Sequence, residues 1–111
     1  MSTQSIVLTV SQLNQAIKLQ LETQFPTVSV QGEISNFSRQ RSNHLYFTLK
    51  DANTQVSCVM FAMNARSLKT LPKDGEQVIV KGELSVYAPR GSYQIIVRSL
   101  EPTGVGRLLQ Q

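Results

Sequence analysis

The chain has 111 residues, of which 41% are hydrophobic and 16% charged, so it can bury one core, is too short for two domains and is not a disordered polyelectrolyte. Lys and Arg number 11 against 7 Asp and Glu, a net charge of +4 that points to a polyanionic partner only if the cations cluster. A single cysteine, Cys58, excludes an internal disulfide and a Cys/His zinc site; no apolar run is long enough to span a membrane, and Met1–Val10 lacks the pattern of a secretory signal.

The first predicted element is an amphipathic helix. Thr9-Val10-Ser11-Gln12 has the form of a capping box, in which a hydroxyl and an amide satisfy free N–H groups reciprocally. Leu13, Ala16, Ile17 and Leu21 follow at helical spacing, and Phe25-Pro26 ends the run. The apolar stripe is expected to rest on the domain that follows.

From Thr27 to Pro102 the period changes from helical to alternating. Runs around Val28–Ile34, Leu45–Lys50, Val56–Phe61, Val78–Tyr87 and Tyr93–Leu100 read as five strands. Asp51-Ala52-Asn53 predicts a hairpin turn between the second and third strands, and Pro89-Arg90-Gly91-Ser92 another between the fourth and fifth. Ala62–Leu71, rich in Ala, Met, Leu, Arg and Lys, predicts a short helix. Gly32 and Gly82 fall at core-phase positions of long strands, where glycine permits the sharp bend a small barrel needs. Five strands with a helix between the third and fourth is the order of an all-β, five-stranded Greek-key OB-fold barrel. The expected division is 1–26 as a helical extension packed on the barrel, 27–102 as the OB domain, and 103–111 as a linker and the opening of a helix. The chain ends at Gln111 without a capping residue and reads as a piece of a longer protein.

Catalysis finds little support. The carboxylates are scattered, no pair suggests a metal or an acid/base couple, and Cys58 has core phase. His44 reads as an exposed strand position or a ligand contact. Neither a metal nor any other cofactor is expected.

Binding fares better. Between Ile34 and Lys50 lie Arg39, Arg41 and Lys50 with no acid, and the segment Ser35–Asn43 is expected as the loop joining strands one and two. Tyr87 and Tyr93 bracket Arg90 in the turn between strands four and five. In an OB barrel these two loops flank a binding face built on strands two and three. His44, Tyr46, Lys50 and Phe61 are expected outward on that face. Cations that track phosphates and rings that stack on unpaired bases are what single-strand binding asks for.

The motifs Gly32-Glu33-Ile34-Ser35-Asn36-Phe37, His44-Leu45-Tyr46-Phe47-Thr48-Leu49-Lys50-Asp51, Cys58-Val59-Met60-Phe61 and Tyr87-x-Pro89-Arg90-Gly91-x-Tyr93-Gln94 stand in an order that resembles the N-terminal OB domain of exodeoxyribonuclease VII large subunits. Leu8–Asn14 and Glu101-Pro102-x-Gly104-x-Gly106 extend the likeness over essentially the whole chain. The resemblance implies a bacterial, cytoplasmic domain that holds single-stranded DNA for a nuclease region outside this chain, where a small helical subunit also attaches. It implies binding roles for Ser35, Asn36, Phe37, His44, Tyr46, Lys50, Phe61, Arg90 and Tyr93. The residues themselves add Arg39, Arg41, Arg66 and Tyr87. Two positions depart from the family: Asn43 stands where Gly is common, and Ala62 where a basic residue is common, so one phosphate contact is either missing or supplied by Arg66. The rival readings are an RNA-binding OB domain of the anticodon-binding type and an assembly module presenting Ile79, Val59 and Ile96.

Overall fold

The computed structural model describes residues 6–87 and 89–103. The elements in order are α1 (Val10–Gln24), β1 (Val28–Arg39), β2 (Leu45–Lys50), β3 (Gln55–Met60), α2 (Ala62–Ala65), β4 (Gln77–Tyr87) and β5 (Ser92–Pro102). The strands close into one barrel in the order β1-β2-β3-β5-β4, with β4 paired back onto β1. All neighbours are antiparallel except β3 and β5, which run parallel. This is the five-stranded barrel expected, with a helix before it and a short one after β3. The expected helix opening at Arg107–Gln111, and the linker after Thr103, lie outside the described residues. Thr103 itself is buried and its N–H donates to the Gln77 carbonyl at 2.8 Å.

Strict alternation builds the core. Ile34, Leu45, Phe47, Leu49, Cys58, Met60, Val78, Val80, Ile95 and Val97 are buried and form one cluster. Phe47 lies opposite Cys58, and Cys58 opposite Ile95, so each layer of the interior is carried across from strand to strand. The two glycines sit where strands crowd. A Cβ on Gly82 would run into the Ile96 carbonyl, beside a register shift in the β4–β5 ladder. A Cβ on Gly32 would lie 2.8 Å from Leu49 Cγ.

Three local features differ from expectation. The loop Ser35–Asn43 is mostly strand: β1 runs on to Arg39 through a bulge at Asn36 and Phe37. Asn36 takes φ 54, and the Phe37 N–H donates to Asp74 Oδ1 at 2.9 Å, so the extra residue is absorbed rather than looped out. The remaining turn is tight. Gln40 N–H donates to the His44 carbonyl at 3.0 Å, and Asn43 N–H to the Gln40 carbonyl at 2.8 Å. Asn43 adopts φ 69, the conformation a glycine would supply.

The helix expected over Ala62–Leu71 stops at Ala65. Beyond it Ser67 Oγ donates to the Asn64 carbonyl, a local bond that competes with helix propagation, and the chain continues as turns.

The third difference concerns α1. Its capping box forms as expected, with Gln12 N–H to Thr9 Oγ1 at 3.0 Å and Thr9 N–H to Gln12 Oε1 at 2.9 Å. The helix lies along β4, but none of its residues is fully buried. Asn14, Lys18 and Leu21 are half-buried, and the Asn14 amide lies over Gly91 of the β4–β5 turn. Val10, Leu13 and Ile17 remain 75%, 47% and 42% exposed. The stripe is therefore only grazed by the barrel, because a partly polar line of the helix occupies the contact.

Candidate nucleic-acid interface

The outward side chains of β2, β3 and β5 form two rows. Register places Tyr46 beside Val59 and Val59 beside Ile96 in one row. The other row is Thr48, Ser57 and Gln94, with Ser35 of β1 opposite Thr48 at its edge. The β4–β5 turn rises beside these rows. Its geometry is fixed by N–H bonds from Arg90 and Gly91 to the Tyr87 carbonyl, at 3.1 and 2.9 Å, and by φ 66 at Gly91.

Face and turn together enclose a groove of about 440 Å³. Asn36, Tyr46, Tyr87, Arg90 and Tyr93 line it above a floor that includes Thr48, Ser57 and Gln94. The three tyrosines are 40%, 46% and 55% exposed, so their rings are available for stacking. A shallower hollow continues from Tyr46 past Gln40, Arg41 and Ser42. The groove thus has a cation at each end and no carboxylate in its lining.

The other expected site residues lie elsewhere. Arg39 is opposite Leu45, whose side chain is in the core, so Arg39 is directed toward the barrel end beside α2. There it lines a second hollow with Asn43, Met63 and Arg66. Lys50, at the far end of β2, stands at the rim of an apolar hollow at the opposite barrel end. Phe37 is half-buried and packs against the core cluster. Phe61 caps the start of α2 and is 36% exposed; the His44 ring meets it edge-to-face at 5.2 Å. His44 Nδ1 accepts the Ala62 N–H at 2.9 Å, which leaves Nε2 as the donor of the ring. His44 thus holds the β3–α2 junction, a structural job that its outward strand phase did not announce. Thr48, Ser57 and Gln94 were passed over in the sequence; their only signal is outward phase on three adjoining strands.

Electrostatics keeps the groove positive. Among the described residues the ion pairs are Lys18 with Glu22 and Arg98 with Glu83. The second is bidentate, with both N–H to oxygen distances at 2.9 Å, and that hydrogen bonding holds the Glu83 carboxyl below the usual range. Burial pushes the Cys58 thiol up to about 12, which makes it a core side chain and not a nucleophile. The assembly reading loses one residue: Val59, flanked in its row by Tyr46 and Ile96, is only 2% exposed. Ile79 and Ile96 are half-buried.

Residues 8–101 match the family described as OB-fold nucleic acid binding domain. Over 102 residues, 92% of its length, the chain is 58% identical to an exodeoxyribonuclease 7 large subunit of Geotalea uraniireducens, and over 105 residues, 95%, it is 52% identical to that of Vibrio vulnificus. It spans 23% and 24% of those relatives' lengths. The barrel also superposes on solved structures. A replication protein A heterotrimer bound to ssDNA matches with TM-score 0.57 and 14% identity, over 76% of this chain and 63% of that one. Entamoeba histolytica asparaginyl-tRNA synthetase matches with TM-score 0.61 and 18% identity, over 70% and 20%. At such identities these two likenesses speak for the fold alone.

Proposed function

The chain belongs to the family of OB-fold nucleic acid binding domains, and we propose that it holds single-stranded DNA and presents it to the nuclease region of an exodeoxyribonuclease VII large subunit. The observation that carries this reading is the groove: three exposed tyrosine rings, Arg90 and Arg41 at its ends, and a carboxylate-free lining. An unpaired strand can turn its bases onto Tyr46, Tyr87 and Tyr93 while its phosphates meet the arginines. A duplex keeps its base faces stacked internally, so the tyrosines gain nothing from it. The polar floor of Thr48, Ser57 and Gln94 offers hydrogen bonds of both signs, which suits a strand of mixed sequence. The likeness to exodeoxyribonuclease 7 large subunits supports DNA as the strand. On this reading the domain works in the cytoplasm, does no chemistry itself, and leaves both catalysis and the small helical subunit to regions outside this chain.

Fluorescence anisotropy with a labelled single strand, its duplex and the matched RNA tests this. The single DNA strand binds more tightly than the duplex, and Tyr46→Ala and Arg90→Ala each weaken it. Equal binding of strand and duplex, or indifference to both substitutions, removes the groove as the site. Tighter binding of the RNA replaces DNA as the ligand.

A further inference from the structure

The barrel is plugged at one end and open at the other. Beside α2, Phe37, Ala65 and Leu68 pack against the core cluster. At the opposite end no element among the described residues closes the interior. A concavity of about 330 Å³ opens there between the β2–β3 turn and the β4–β5 hairpin. Val30, Leu49, Val56, Leu84 and Ile95 form its walls, and Phe25, the C-cap of α1, adds an aromatic edge. The volume falls at the small end of the range for ligand pockets, roughly 300–1,000 Å³. Its polar lining is Gln31, Lys50, Asp51, Thr54 and Gln55; Lys50 faces Gln55 across the β2–β3 ladder and Glu33 across the β1–β2 ladder, and Asp51 Oδ1 is held by the Asn53 and Thr54 N–H groups.

One residue joins this hollow to the groove. Tyr93 lines both. It keeps the inward phase of Ile95 but lies one position past the core, so its ring stands on the lip between the outer face of the barrel and its mouth. A strand that follows the groove from Arg41 past Tyr46 to Arg90 arrives at that lip. We infer that the mouth of the barrel receives the next unpaired nucleobase, inserted under Tyr93, while Lys50 meets the phosphate that follows. An apolar hollow with a polar rim suits a base, which is flat, apolar on both faces and hydrogen-bonding only at its edge; Gln55 at the rim can bond that edge. Insertion would also cover aliphatic side chains that are only half-buried as the protein stands, Val30, Val56 and Leu84 among them.

This inference rests on the single-strand reading of the groove, and the experiment separates the two. Oligothymidylates of increasing length are titrated against the wild-type chain, Val56→Phe, which fills the mouth, and Lys50→Gln, which leaves its shape intact. Short oligomers that occupy only the groove bind all three proteins equally. Above a threshold length the wild type gains about 5- to 100-fold from the added nucleotide, as one stacked base provides, and Val56→Phe loses that gain. Lys50→Gln loses part of it, which keeps the test decisive if Val56→Phe folds poorly. Thymidine 5′-monophosphate supplies an independent readout, shifting the methyl resonances of Val56, Leu84 and Ile95. Unchanged methyl signals and identical length dependence in all three proteins overturn the pocket and leave the groove standing. Absence of binding by the wild type at every length overturns both.

Discussion

Single side chains in this barrel divide into those that touch solvent and those that touch the core, and neighbours one position apart fall on different sides of that line. Arg39 and Arg41 look alike in the sequence, yet one is directed to the α2 end and the other lies beside Tyr46. Substitution should separate them: Arg41→Ala lowers single-strand affinity and Arg39→Ala leaves it nearly unchanged, as anisotropy titrations at one salt concentration would show. The aromatic rings divide the same way. Phe37→Ala removes a ring packed on the core and should cost about 1–3 kcal/mol of stability in urea denaturation, less than a fully buried phenylalanine because part of its surface already touches water. Tyr87→Ala should leave the denaturation midpoint nearly where it was and weaken DNA binding instead. Gly82→Ala sets a Cβ against the Ile96 carbonyl, a backbone group that cannot swing aside, so the strands must part; a loss of several kcal/mol or failure to fold is expected.

Among the elements, the turns carry their own electrostatics. Asp51 Oδ1 accepts the N–H groups of Asn53 at 2.8 Å and Thr54 at 3.0 Å, which lowers its pKa below the ordinary 3.8. Glu83 is lowered below 4.5 by hydrogen bonding to Arg98. A carboxyl whose folded value is lowered contributes stability that is complete above its unfolded value and is lost as pH falls through the folded one. The thermal midpoint should therefore fall below about pH 4, and the fall should be shallower in Asp51→Asn and in Arg98→Met. The sequence made the elements legible because period-2 alternation runs through most of the strands, because the last is β-rich on both faces, and because Thr9 and Gln12 announce a helix start by side-chain chemistry alone. It did not make the β1 bulge legible. That feature depends on Asn36 taking a left-handed conformation while Asp74, 37 residues after Phe37, catches the freed N–H. Nor did α1 reveal how it lies, since a helical stripe states that a face is apolar but not that a neighbouring line of Asn14 and Lys18 makes the contact.

For the molecule as a whole, the candidate binding face was half visible in advance. Charges and rings in two loops were conspicuous; Thr48, Ser57 and Gln94 between them look like any solvated strand surface until the pairing of β3 with β5 sets them side by side. If Arg41, Arg90 and Lys50 each neutralise one phosphate, the logarithm of affinity should fall with the logarithm of salt at a slope of about −2. A slope near zero would mean that the cations named here are bystanders. Closure of the ring has its own result. Since Gln77–Gly82 of β4 bonds to β1 on one side while β4 bonds to β5 on the other, that half of the strand has no unused row of amides and carbonyls. Along that closed stretch of the described residues a passing extended polypeptide finds no free backbone on which to zip.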